Sequence, residues 1–160
     1  MSEEIVGSIA VNEFHRFRRN SAYALVLTDG RMLAVKASSP KDALLLAVAA
    51  RIGKVPGATP VPTEAQGGDE ETNETPDKER RPTIDTEVLL SADADNFELP
   101  YEEVFQVEMK RSGFGASGRR AGKMEILTYT AKRQFDLVAD QMYDECVGVV
   151  RKVLGNRLLE

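Results

Sequence analysis

The sequence predicts an α+β fold, mainly β, from three observations. Leu99–Lys110 alternates, with Phe105, Val107 and Met109 on one side and Val104, Gln106 and Glu108 on the other, the period of a half-buried strand. Asp29-Gly30, between Val26-Leu27 and Met32-Leu33, is a two-residue hairpin signal in which both turn residues tolerate positive φ. Near the C-terminus the period changes: Tyr143, Cys146, Val147, Val150, Val153, Leu154 and Leu158 recur at three and four, with charges between them. That stretch predicts a helix from Asp140 to Leu158 with one apolar stripe to bury.

The first strand is predicted over Ile5–Phe14, where Ile5, Gly7, Ile9 and Val11 alternate with Val6, Ser8 and Ala10. A basic connection follows, then β-rich Ala22–Thr28 as the second strand and Arg31–Ala37 as the third. Ser39-Pro40-Lys41-Asp42 predicts a helix entrance, with Ser39 as N-cap, Pro40 at the first helical position and Asp42 meeting the helix dipole. The helix should end at Gly53. Its centre, Ala43–Ala50, is apolar nearly all round, which suits a core helix or one packed under the linker, with a partner-binding or membrane-surface helix as the alternative.

Lys54–Pro82 holds five of the seven prolines and seven acids, with almost no large apolar residue. Ordering it would bury too little to offset the entropy, so it is predicted to be a disordered acidic linker. Thr83–Leu90 is predicted as the fourth strand, Ser91–Asn96 as a polar turn, and Leu99–Lys110 as the fifth strand. Ser112–Gly118 has three glycines and cannot continue a strand. Lys123–Thr130 and Gln134–Val138 then complete a meander of seven strands, whose apolar face is the nearest cover for the last helix.

A net charge of −5 argues against a general polyanion binder, and the lack of tryptophan with 6% aromatics argues against a base-stacking platform. Nucleic acid is therefore not an expected partner. Without the linker, 17 basic and 19 acidic residues remain, so the folded part is near neutral. One cysteine excludes an internal disulfide framework, and Cys146 falls on the apolar stripe as a buried thiol. The start of the chain lacks a charged-then-apolar signal, and no apolar run is long enough to span a bilayer, so a cytoplasmic protein is expected, with a peripheral position at the membrane as the alternative.

In order, these elements resemble the pleckstrin-homology-like fold, prokaryotic pleckstrin-homology and GRAM-type domains in particular. The resemblance rests on the Leu25–Val35 hairpin, on Leu99-Pro100-Tyr101-Glu102-Glu103-Val104-Phe105-Gln106-Val107, and on Phe135-Asp136-Leu137 before the last helix. It implies a seven-stranded orthogonal sandwich or partly open barrel capped by the C-terminal helix. The whole chain would form one split domain, core 3–38 and 83–158, interrupted by the inserted helix 39–53 and the linker 54–82. It also implies binding without catalysis.

An up-and-down meander would gather connections one-two and five-six at one end. The expected anion or partner site is therefore Arg16, Arg18, Arg19, Lys110, Arg111, Phe114, Arg119, Arg120 and Lys123. Arginine forks and glycine-loop N–H groups suit phosphate or carboxylate. The alternatives are solvated hairpin charge, or neutralisation by the acidic linker. Asp93-Ala94-Asp95 lacks the glycine and closing glutamate of a calcium loop and reads as a solvated turn. The only histidine is His15, and no nucleophile–base or metal-ligand spacing occurs, so neither an enzyme nor a cofactor or metal is expected. The reading is a non-enzymatic module for a protein partner; the alternative is a peripheral module for anionic lipid headgroups through connections one-two and five-six.

Overall fold

The computed structural model describes residues 2–13, 20–59, 81–111, 120–138, 141 and 143–159. Among these are ten strands and three α-helices, so the fold is mainly β. The strands are β1 (Ser2–Glu13), β2 (Ser21–Thr28), β3 (Arg31–Ala37), β4 (Ala58–Thr59), β5 (Thr83–Asp85), β6 (Phe97–Pro100), β7 (Val104–Arg111), β8 (Arg120–Thr128), β9 (Lys132–Val138) and β10 (Leu158–Leu159). The helices are α1 (Pro40–Arg51), α2 (Thr86–Ala92) and α3 (Tyr143–Leu154). The sheet runs β10-β7-β8-β9-β1-β2-β3-β6 without closing, and the short β4–β5 pair adds to the start of β1.

Two apolar cores follow from this order. One joins Ile9, Leu25 and Met32 of β1–β3 to Val107, Ile126 and Leu137 of β7–β9, and receives Val147 and Val150 of α3. The other lies on the opposite face of β1–β3, where Ala24, Val26 and Leu33 meet Ala43 and Ala47 of α1 and Leu89 of α2. The middle strands are thus covered on both sides, which is why Ala24-Leu25-Val26-Leu27 is an unbroken apolar run, all of it fully buried.

The insert helix forms as its capping chemistry requires. Ser39 accepts from the Asp42 N–H at 3.1 Å, Pro40 opens the helix, and Gly53 follows it at φ 77°. The alanines of α1 face the sheet, while its leucines point sideways or outward.

Several expectations are corrected. Thr83–Leu90 is not one strand: Asp85 caps α2, its carboxylate accepting from the N–H groups of Glu87 and Val88. The fourth core strand is instead β6, whose end Leu99-Pro100 falls within the predicted fifth strand. A 3₁₀ turn at Tyr101–Glu103 separates the two, and the Tyr101 hydroxyl donates to the Thr28 carbonyl at 2.7 Å. Among the described residues the count is therefore ten strands, not seven. Phe105 lies outside, not in the core, because Val104 and Gln106 pair with the adjacent residues Thr128 and Leu127 and Phe105 is the bulged extra residue. A similar bulge at Val6 moves Ile5 to the α1 side, away from Ile9 and Val11.

The last helix is shorter than its stripe. Gly155, at φ 51°, turns the chain so that Leu158-Leu159 pairs parallel to β7. The linker is ordered at both ends: Val55 is buried, β4 pairs with β5, and the Pro82 carbonyl accepts from the Ile5 N–H at 2.8 Å. Residues 60–80 of it lie outside the described residues.

Candidate functional site

Most of the expected basic site falls outside the described residues. Arg16, Arg18, Arg19, Phe114 and Arg119 lie outside the described residues, and of Arg120 only the backbone is described. The flanking strands still locate the connections. β1 runs antiparallel to β9, with Glu13 opposite Phe135, so the β1–β2 connection leaves at the end of the β8–β9 turn. The β7–β8 connection leaves at the other end of that ladder, beside α3, so the two connections start from opposite ends. The expectation that they share one end is corrected: an up-and-down pattern places alternate turns together only while strands are counted along one meander, and here β9 joins β1 across the sheet.

Lys110, Arg111 and Lys123 also have close neighbours. Arg111 donates to the Asp144 carboxylate at 2.6 Å and lies 4.7 Å from the Tyr143 ring centroid, which latches the β7–β8 hairpin to the start of α3. Lys110 and Lys123 line a shallow groove of about 490 Å³ on the outer face of β7–β9, together with Glu108, Glu125 and Asp136. Lys110 Nζ is 3.6 Å from Glu108. An anion entering there would meet three carboxylates against two ammonium groups.

A different site stands between α1 and α3. A groove of about 530 Å³ has walls of Leu44 and Val48 on one side and Gly148 and Val149 on the other. Its floor is built from backbone needs. β1 parts from β9 beyond Val11, and the Gln141 side-chain amide continues the ladder, accepting from the Ala10 N–H at 2.7 Å and donating to the Ala10 and Val138 carbonyls at 2.8 and 2.9 Å. Ser8, buried in β1, donates to the Ala47 carbonyl at 2.5 Å; Arg51 donates to the Ser8 hydroxyl and carbonyl at 3.0 and 3.1 Å. The Arg51 side chain is thereby held across the groove.

Beside this groove α1 exposes Leu45, Val48 and Ile52, by 63, 51 and 54%. Large apolar side chains at i, i+3 and i+7 form a continuous helical stripe. Gly148 sits within α3, and a Cβ added there would meet nothing within 4 Å. Sequence reading recorded α1 as apolar all round but did not identify this face. The lone glycine inside the last helix was the available signal for its other wall.

Cys146 also lines the groove, and burial pushes its thiol up to about 11, against the opposing effect of Arg51. Burial first, then Glu3 and Asp29, holds the Tyr101 phenol well above the ordinary tyrosine value. In the unfolded chain a thiol titrates near ~8.5 and a phenol near ~10, so as pH rises the unfolded state loses these protons first. The stability they contribute is whole below about pH 8 and falls as pH climbs toward about 11 and beyond. The urea midpoint should drop over that range, and Tyr101→Phe should flatten the upper part of the drop. A midpoint unchanged to about pH 11 would show that neither group is held neutral by the fold.

Among the described residues no helix is long and apolar enough to cross a membrane. No protein-family model and no curated protein matches the chain. Among solved structures it is similar to the C-terminal domain of an unknown protein from Leishmania infantum, with 9% identity and a TM-score of 0.49, over 95% of this chain and 84% of that one.

Proposed function

We propose that the chain is a non-enzymatic, pleckstrin-homology-like interaction module that binds a protein partner. The PH-like reading is supported by the path β7-β8-β9-β1-β2-β3-β6, seven antiparallel core strands followed by a C-terminal helix whose apolar stripe joins the core of both halves. The partner reading rests on one observation: the groove between α1 and α3 is flanked by large apolar side chains that the described residues leave uncovered. Exposed patches of this kind, rimmed by charge, mark interaction surfaces.

The competing headgroup reading makes a clear prediction. Binding through basic loops would appear with anionic vesicles only and would collapse between low and physiological salt. We expect co-sedimentation of the whole chain with neither anionic nor neutral vesicles at either salt concentration. Salt-sensitive sedimentation with anionic vesicles alone would overturn the partner reading in favour of lipid.

A further inference from the structure

We infer that the groove between α1 and α3 docks an acidic amphipathic helix from a protein partner, with the partner's apolar ridge lying over Gly148. This deepens the interaction-module reading and rests on it. Three observations converge on the groove. The stripe Leu45, Val48 and Ile52 faces solvent along one side of α1, with exposed Lys41 one turn before it on the same face. Gly148 lies opposite in the middle of α3, where glycine weakens a helix and where no neighbour among the described residues needs the space. A glycine that packing within the chain does not require is explained by close approach from outside. The site is also concave, with apolar walls and a few fixed polar groups, of which Arg51 is anchored on Ser8.

Charge selects the occupant. Lys41, Arg51 and Lys54 of the α1 region and Lys152 of α3 are exposed, and among the described residues the acids of the two helices are Asp42, Asp144 and Glu145, of which Asp144 is paired with Arg111. Asp42 is taken up by the Ser38 N–H and hydroxyl, each at 3.2 Å. A second copy of this chain would bring Lys41, Arg51 and Lys54 against their equivalents and be repelled. The chain's own acidic linker has the right sign, but its only large apolar residues are Val55 and Val61, and Val55 is buried in the fold. It therefore cannot cover a stripe of three. A bilayer is flat and would cover Leu45 without entering the cleft at Gly148. A helix with apolar residues at three- and four-residue spacing and acids beside them satisfies both walls and the rim.

The test uses the full chain and a labelled synthetic peptide of about 18 residues, leucine at every third or fourth place and glutamate between, read by fluorescence anisotropy. Its partner probe carries lysine for glutamate, and phosphatidylserine vesicles form a third arm. The glutamate peptide should bind saturably and the lysine peptide at least about tenfold more weakly. Gly148→Leu and Val48→Asp should each weaken the glutamate peptide by about tenfold or more, and Lys110→Glu should leave it unchanged. Both groove variants should fold, since Val48 is half exposed and the space at Gly148 is open; a thermal melt of each checks this.

Equal binding of the two peptides, or no saturable binding, overturns the inference. Binding that survives Gly148→Leu but falls with Lys110→Glu overturns the groove while leaving the module reading standing. Vesicle binding abolished by Val48→Asp overturns both, in favour of a membrane face.

Discussion

Arg133→Ala should cost the fold about 3 kcal/mol, because it takes an ion-pair partner from a carboxylate that folding has already removed from water. Arg133 donates to the Glu13 carboxylate at 2.8 Å, and the glutamate side chain is only 7% exposed. The pair sits where β1 meets β9, with Glu13 opposite Phe135, at the narrow junction between the halves of the sheet. The guanidinium also lies 4.0 Å from the Phe97 ring centroid, and Phe97 packs edge-on against Tyr23 at 5.2 Å. Truncation therefore removes an ion pair and a cation–π contact together. Arg133 itself is 34% exposed, so water can reach part of the vacated space, which places the cost at the lower end of the ~3–5 kcal/mol seen for broken buried pairs.

The double variant Glu13→Gln, Arg133→Ala separates the loss at the carboxylate from the lost packing. It should recover more than half of the loss, since a neutral amide costs far less to bury than a carboxylate. Urea unfolding at constant slope measures both variants. A loss below about 1 kcal/mol for Arg133→Ala alone would place this pair with solvent-screened surface bridges.

What could be read from the sequence was local in cause. Ser39, Pro40 and Gly53 specify α1 through contacts within a few residues, and Asp29-Gly30 specifies its hairpin in the same way. The elements that were misread depend on partners distant in sequence. Alternation through Ile5 and Phe105 is unbroken on paper, but each strand bulges to keep register with its neighbour, and one extra residue exchanges inside for outside. Asp85 caps α2 through a side chain that reading Thr83–Leu90 for β content passed over. The basic loops were legible as composition, but which end of the sheet each leaves depends on β9 joining β1, a pairing across more than a hundred residues. The groove was half legible, as an α1 without a polar face; its second wall required knowing that Gly148 looks into open space.

Gly7→Ala and Gly148→Ala make the same chemical change on the two sides of α3 and should move stability in opposite directions. A Cβ at Gly7 would lie 2.6 and 2.9 Å from the two γ-methyls of Val149, closer than carbon atoms pack. Valine in a helix has essentially one χ1 rotamer, so it cannot swing aside, and α3 must lift from β1. Overpacking of this kind costs ~1–3 kcal/mol, whereas removing a glycine from a strand returns only a fraction of a kcal/mol to about 1, so the balance is a loss of about 1 kcal/mol. At Gly148 there is no clash, and alanine gains about 1 kcal/mol of helix propensity. Adding Val149→Ala to Gly7→Ala removes the colliding methyls and should restore part of the loss, and the size of that non-additivity measures the contact directly. If Gly7→Ala unfolds at the wild-type urea midpoint, α3 does not rest on β1 as closely as the structure places it, and the floor of the groove it shares with α1 must be redrawn.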